Sequence, residues 1–164
     1  MEKTKPKSRF LEGYTPDPTH LAAGRYGTLD MMKIWGPDQT YEISLGVQGQ
    51  SARTLSRLHS DIIPQAQADE IFEKASLKYI DPNRIRQLEN ETGHDVIAIN
   101  TALEEQVSRS AAADINKLKT SADTTQPARA LQIKKALEIL TDSLENVRDI
   151  VLEKAVAWRH VPHM

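Results

Sequence analysis

The chain contains no cysteine. Disulfides, thiolate metal sites and cysteine nucleophiles are therefore all excluded, and a cytoplasmic location is the default expectation. Aromatic residues make up only 5%, too few for the stacking platforms that grip single-stranded nucleic acid. Neither sign of charge dominates. With 21 Lys and Arg against 23 Asp and Glu, the formal net charge is -2, so neither nucleic acid nor an anionic membrane surface is an expected partner. No run approaches the roughly 18 apolar residues of a spanning helix. The basic start "MEKTKPKSRF" is not followed by the apolar segment of a secretory signal. Alternating apolar and polar runs bounded by turn dipeptides are missing as well, which predicts an all-α protein.

What is present is helical punctuation. Residues 1–24 mix prolines, glycines and charges without a sustained period and read as an extended arm. Thr28 is a plausible N-cap for a short helix through "LDMMKIW", and Asp38 for the next, whose stripe is Tyr41, Leu45, Ala52, Leu55 and Leu58. Pro64 starts a helix that turns Ile71, Phe72, Ala75 and Tyr79 inward. Asp81 followed by Pro82 repeats the cap-then-proline device. A further helix is expected from about His94 to Ser108, burying Val96, Ile97, Leu103 and Val107. Trp35 and Trp158 read as packing anchors at helix ends.

The last element differs in kind. From about Thr125 to His160 the only helix breaker is Pro127, placed in the first turn. Ile133, Leu137, Leu140, Leu144, Val147 and Val151 recur with a period of about 3.5, the seam of a helix packed lengthwise against others. Ile139, Ile150 and Trp158 widen that seam toward a bundle of several helices. One such helix has no partner within this chain, which stops soon afterwards at "RHVPHM". The expectation is a truncated front part of a longer protein.

Three polar clusters stand outside the apolar pattern: "GRYG" at 24–27, "TGHDVIA" at 92–98 and "KTSADTTQPA" at 119–128. Arg25 and Tyr26 between glycines, just before a helix start, suit an anion clamp, although for the dipeptide alone a domain-start turn is the commoner reason for such glycines. His94 and Asp95 at a helix tip are open to a bland reading, since the helix dipole favours an acid there. Hydroxyls at Thr120, Ser121, Thr124 and Thr125 exceed what one helix cap needs, and the surplus suits a carboxylate cradle. His160 and His163 have a possible metal spacing, but Pro162 lies between them and no third ligand is visible, so no metal is expected.

Taken in this order, the clusters resemble the fumarase/aspartase superfamily of lyases, and within it the branch acting on succinylated purine nucleotides. "RYGTLDMMKIW" is similar to its phosphate-binding segment, "TGHDVIAINTALEEQV" to its His-Asp helix, and "TSADTTQPARALQIKKAL" to its Thr-Ser loop running into the first long bundle helix. The resemblance implies an N-terminal helical domain over 25–118, after the arm at 1–24, and the start of a central helix bundle over 119–164. It implies a C–N lyase that releases fumarate by β-elimination, with no cofactor, acting as a homotetramer on a small-molecule nucleotide substrate. By the same resemblance, Arg25 and Tyr26 hold the phosphate, and Thr120 and Ser121 bind the succinyl carboxylates. His94 contacts substrate beside the reacting centre, with Asp95 orienting it and Asp123 fixing the loop and capping the helix. The family's general acid and base lie beyond Met164. Gly93 and Lys119 depart from the family pattern, where a basic residue and a glycine are common. A sister lyase or cycloisomerase, or a non-catalytic helical assembly module, are the alternatives.

Overall fold

The computed structural model describes residues 27–162. Among these the chain is all-α, with seven helices and no strand. In order they are α1 (Leu29–Trp35), α2 (Pro37–Leu58), α3 (Gln65–Lys74), α4 (Pro82–Thr92), α5 (Asp95–Glu104), α6 (Arg109–Ala112) and α7 (Ala122–Trp158). The arm assigned to residues 1–24 lies outside the described residues.

Local chemistry sets most of the boundaries. The Thr28 hydroxyl accepts from the Met31 amide at 3.3 Å and opens α1. Helix α2 has Gly36 rather than Asp38 as its N-cap, because Pro37 occupies the first helical position with its φ already helical. Asp38 falls instead in the first turn and pairs with Arg86 of α4. Asp81 caps α4 through the Asn83 amide at 2.9 Å, with Pro82 behind it as expected.

The core is built where α2 meets α3 and α4 meets α5. Leu45, Ile63, Ile71, Ile85, Leu103 and Ile115 are wholly buried there. Close approach of α2 to α3 depends on Gly49: a Cβ at that position would stand 3.0 Å from the Phe72 Cα and 3.0 Å from the Ala75 Cβ. Several expected core residues face outward. Ile97 is 47% exposed, Leu58 is exposed, and Phe72 lies at the surface under the Arg53 guanidinium, 3.7 Å from its ring centroid. Trp35 and Trp158 are exposed as well, so neither anchors packing among the described residues. The helix expected to reach Ser108 ends at Glu104, and Ser108 begins the short α6, its hydroxyl accepting from Ala111. Glu70 of α3 holds that cap through the Ser108 amide and hydroxyl at 2.6 and 2.7 Å, and these hydrogen bonds lower its carboxyl pKa.

Helix α7 is 37 residues long, or roughly 55 Å at the helical rise. It begins at Ala122, earlier than expected, so Pro127 lies in its second turn. Only its first turns are moored to the rest of the molecule. Thr124, Ala128 and Gln132, spaced four apart, are buried, and the Gln132 amide donates to the Ile34 carbonyl at 2.8 Å and to the Thr40 hydroxyl at 2.9 Å. The 3.5-period seam from Ile133 to Val151 faces away from this body and is exposed at every position.

Candidate functional site

Two helix tips meet. Helix α4 ends at Gly93, whose φ of 66° is left-handed; no atom would obstruct a Cβ there, so conformation rather than space favours glycine. The glycine turns the chain into His94, which takes the extended conformation of an N-cap. Thr92 braces the turn, its hydroxyl donating to the Leu88 carbonyl at 2.8 Å and accepting from the His94 amide at 3.3 Å. Gly93 thus closes α4 and aims the histidine.

The His94 ring is anchored on one side and free to work on the other. Nδ1 accepts from the Ile97 amide at 3.4 Å, capping α5. In the neutral ring this assigns the proton to Nε2, which then donates to the Ser121 Oγ at 3.4 Å, at the tip of α7. Asp95 Oδ1 lies 3.3 Å from Nδ1. The same carboxylate oxygen accepts from the Val96 amide at 2.7 Å.

The α7 tip is shaped from within. Asp123 Oδ2 accepts from the Thr120 amide at 2.8 Å, fixing the loop as the sequence suggests. Ser121 occupies the N-cap position but makes no side-chain cap bond, leaving its hydroxyl to face His94. The second and third sequence clusters are therefore brought together. Arg25 and Tyr26 of the first lie outside the described residues, as does His163. His160 accepts from its neighbour Arg159 at 3.0 Å, and among the described residues no group of three or more potential ligands can hold a metal ion.

Lys119 turns away from this junction. Leu118 before it has a φ of 58°, a left-handed conformation costing roughly 1–2 kcal/mol for a residue with a Cβ. Lys119 Nζ then reaches α2, donating to the Gln48 Oε1 and, at 2.7 Å, to the Ser51 hydroxyl. Gln48 was not legible as a site residue. It does carry a signal: it interrupts the apolar stripe of α2 between Leu45 and Ala52, where a polar side chain must find buried partners.

Burial lowers the Lys119 ammonium to about 8, against the opposing pull of the Asp123 carboxylate. It borders a cavity of about 750 Å³ whose wall also carries Glu42, Asp114, Lys117 and Lys135. Because its folded pKa lies below the ordinary 10.5, the unfolded chain binds more protons between those values and stability rises with pH across the window. The gain is about 1–2 kcal/mol once solvent screening is allowed for. Urea unfolding between about pH 8 and 10 should show the unmodified chain gaining stability relative to Lys119→Met. A parallel response of the two proteins would contradict the assignment.

Comparison with known proteins points one way. The chain is 39% identical over 131 residues to an adenylosuccinate lyase of Methanocaldococcus jannaschii, covering 80% of this chain and 28% of that protein. An adenylosuccinate lyase of Pyrococcus horikoshii is 33% identical over 137 residues, 84% of this chain and 29% of its own length. One from Bacillus subtilis is 30% identical over 140 residues, with 85% and 31% covered. The chain thus spans about three tenths of the length of these curated relatives. No family model and no solved structure matches it.

Proposed function

From the premise that this chain is kin to the adenylosuccinate lyases, we propose that it forms the nucleotide-side part of a C–N lyase site. The observation that carries this reading is the meeting of two helix tips, with His94 Nε2 3.4 Å from Ser121 Oγ. The substrate is adenylosuccinate, yielding AMP and fumarate, or the related succinylated imidazole intermediate of purine biosynthesis. In the reaction a base removes the proton next to a succinyl carboxylate. The carbanion's charge spreads into that carboxylate, the C–N bond breaks, and an acid protonates the departing nitrogen.

Each residue has a part in that scheme. Thr120 and Ser121 hydrogen-bond succinyl carboxylate oxygens at the positive end of α7, where developing negative charge is favoured. His94 presents Nε2–H to the same place, beside the breaking bond, as a hydrogen-bond donor to the developing negative charge, and Asp95 orients the ring. Arg25 and Tyr26 hold the nucleotide phosphate. The acid and base of the elimination come from outside this chain, and no cofactor takes part.

The domain division follows the same reading, with an arm at 1–24, a helical domain at 25–118 and the first bundle helix at 119–164. The exposed seam of α7 supports assembly through that helix into a homotetramer of the cytoplasm. No helix among the described residues is long and apolar enough to cross a membrane.

Titration of the 15N-labelled chain with AMP and with fumarate tests the proposal. Fumarate should move the His94 and Ser121 resonances, and Ser121→Ala should abolish the response. AMP should move those around Arg25 and lose its effect in Arg25→Ala. Ligand responses indifferent to both substitutions would sink the reading.

A further inference from the structure

One buried side chain reaches both helices that form the junction. Gln48 on α2 is 0% exposed. Its Nε2 donates to the Asn100 Oδ1 of α5 at 2.7 Å and to the Thr124 Oγ1 of α7 at 3.0 Å. Its Oε1 accepts from Lys119, whose Nζ is tied in turn to Ser51. Asn100 lies on the helix that His94 caps, and Thr124 lies three residues beyond Ser121. The amide donors and acceptor of Gln48 are therefore all committed, each to an element that carries or adjoins the proposed site.

We infer that Gln48, clamped by Lys119, is a positioning residue that sets the separation of the His94 tip of α5 from the Thr120–Ser121 tip of α7. This rests on the junction reading above.

The physical case is one of tolerance. At 3.4 Å the His94–Ser121 contact is at the long limit of a hydrogen bond, so a small displacement of either tip ends it. Apolar packing would resist such displacement poorly, because it has little directional preference. Buried hydrogen bonds are directional and lose much when stretched, so a glutamine with all its partners engaged defines one spacing. Lys119 adds a constraint in sequence as well as in space. It immediately precedes Thr120, and the left-handed turn at Leu118 delivers it to α2. Lys119 thus ties the loop base to the same hub.

The test reads the geometry directly, without ligand, from the 15N resonances of the His94 ring in the intact chain. Ser121→Ala defines the Nε2 position when the contact is absent. Gln48→Met, similar in volume but without the amide, is expected to shift Nε2 to that position while Nδ1 keeps its α5 cap. Lys119→Met should move it the same way, and Lys119→Arg should restore it. Ile71→Ala, a core substitution of a side chain that makes no hydrogen bond to the hub, should destabilise the chain yet leave Nε2 unmoved. Should Gln48→Met fail to fold, Lys119→Met at the partly exposed end of the network carries the test. An Nε2 resonance unchanged in folded Gln48→Met and Lys119→Met would overturn the inference, as would one that Ser121→Ala leaves in place. Failure of ligand binding with this coupling intact would instead count against the proposed function alone.

Discussion

Under the proposed lyase reading, His94→Asn is expected to cut fumarate release by the assembled enzyme by roughly 10²–10³-fold, the usual contribution of one preorganised hydrogen-bond donor, while leaving the fold intact. Asparagine is chosen because His94 does two things. Its Nδ1 caps α5 through the Ile97 amide, and its Nε2 faces Ser121. Alanine would remove both, and loss of a cap alone costs about 1 kcal/mol. Asparagine is among the strongest N-caps, so it supplies an acceptor for the helix but no imidazole for the reaction. Turnover of adenylosuccinate, followed by the absorbance change as the succinyl–nitrogen bond breaks, separates the roles. Full activity in His94→Asn would reduce the histidine to a cap and remove the chemical basis of the proposed site. Loss of activity with unchanged thermal unfolding would assign the effect to the ring.

Ile71→Ala is expected to destabilise the chain by about 2–5 kcal/mol, the range for deleting a large aliphatic side chain from a core that cannot collapse around the gap. Ile71 is 0% exposed on α3, beside the tight approach at Gly49. A Cβ at Gly49 would stand 3.0 Å from the Phe72 Cα, so α2 and α3 are already packed closely there, which favours the upper part of the range. A loss of this size would lower the melting temperature by on the order of 10 °C in a chain of this length. Leu144→Ala is the contrasting case. Leu144 is equally apolar and equally periodic, but it is 60% exposed on α7, and in the unassembled chain its replacement should change stability by no more than about 0.5 kcal/mol. Thermal unfolding of the two variants side by side checks both values. A large loss in Leu144→Ala would mean that the α7 seam is already covered in solution.

That contrast marks how far one-dimensional pattern reaches. Thr28, Asp81 and Pro82 announce their helices because capping and proline geometry act within a few residues. Asp38 misled because Pro37, one residue earlier, is the stronger local signal. Phe72 and Ile97 carry the hydrophobicity of core residues, but whether a helix face is covered depends on which helices pack on it. The site divides in the same way. His94, Asp95, Thr120 and Ser121 stood out as polar residues at helix tips. Gln48 and Asn100 did not, because their partners lie 52 residues apart in the chain.

The sequence by itself determined that the chain is helical, where most helices begin, and that its polar residues gather at helix tips. These follow from interactions between near neighbours, which the order of residues specifies directly. Only the tertiary structure decided that the tips of α5 and α7 meet, that Gln48 and Lys119 tie them together, and that the α7 seam faces outward. Those outcomes depend on how α2, α5 and α7 pack, and packing joins residues whose separation along the chain leaves no local trace.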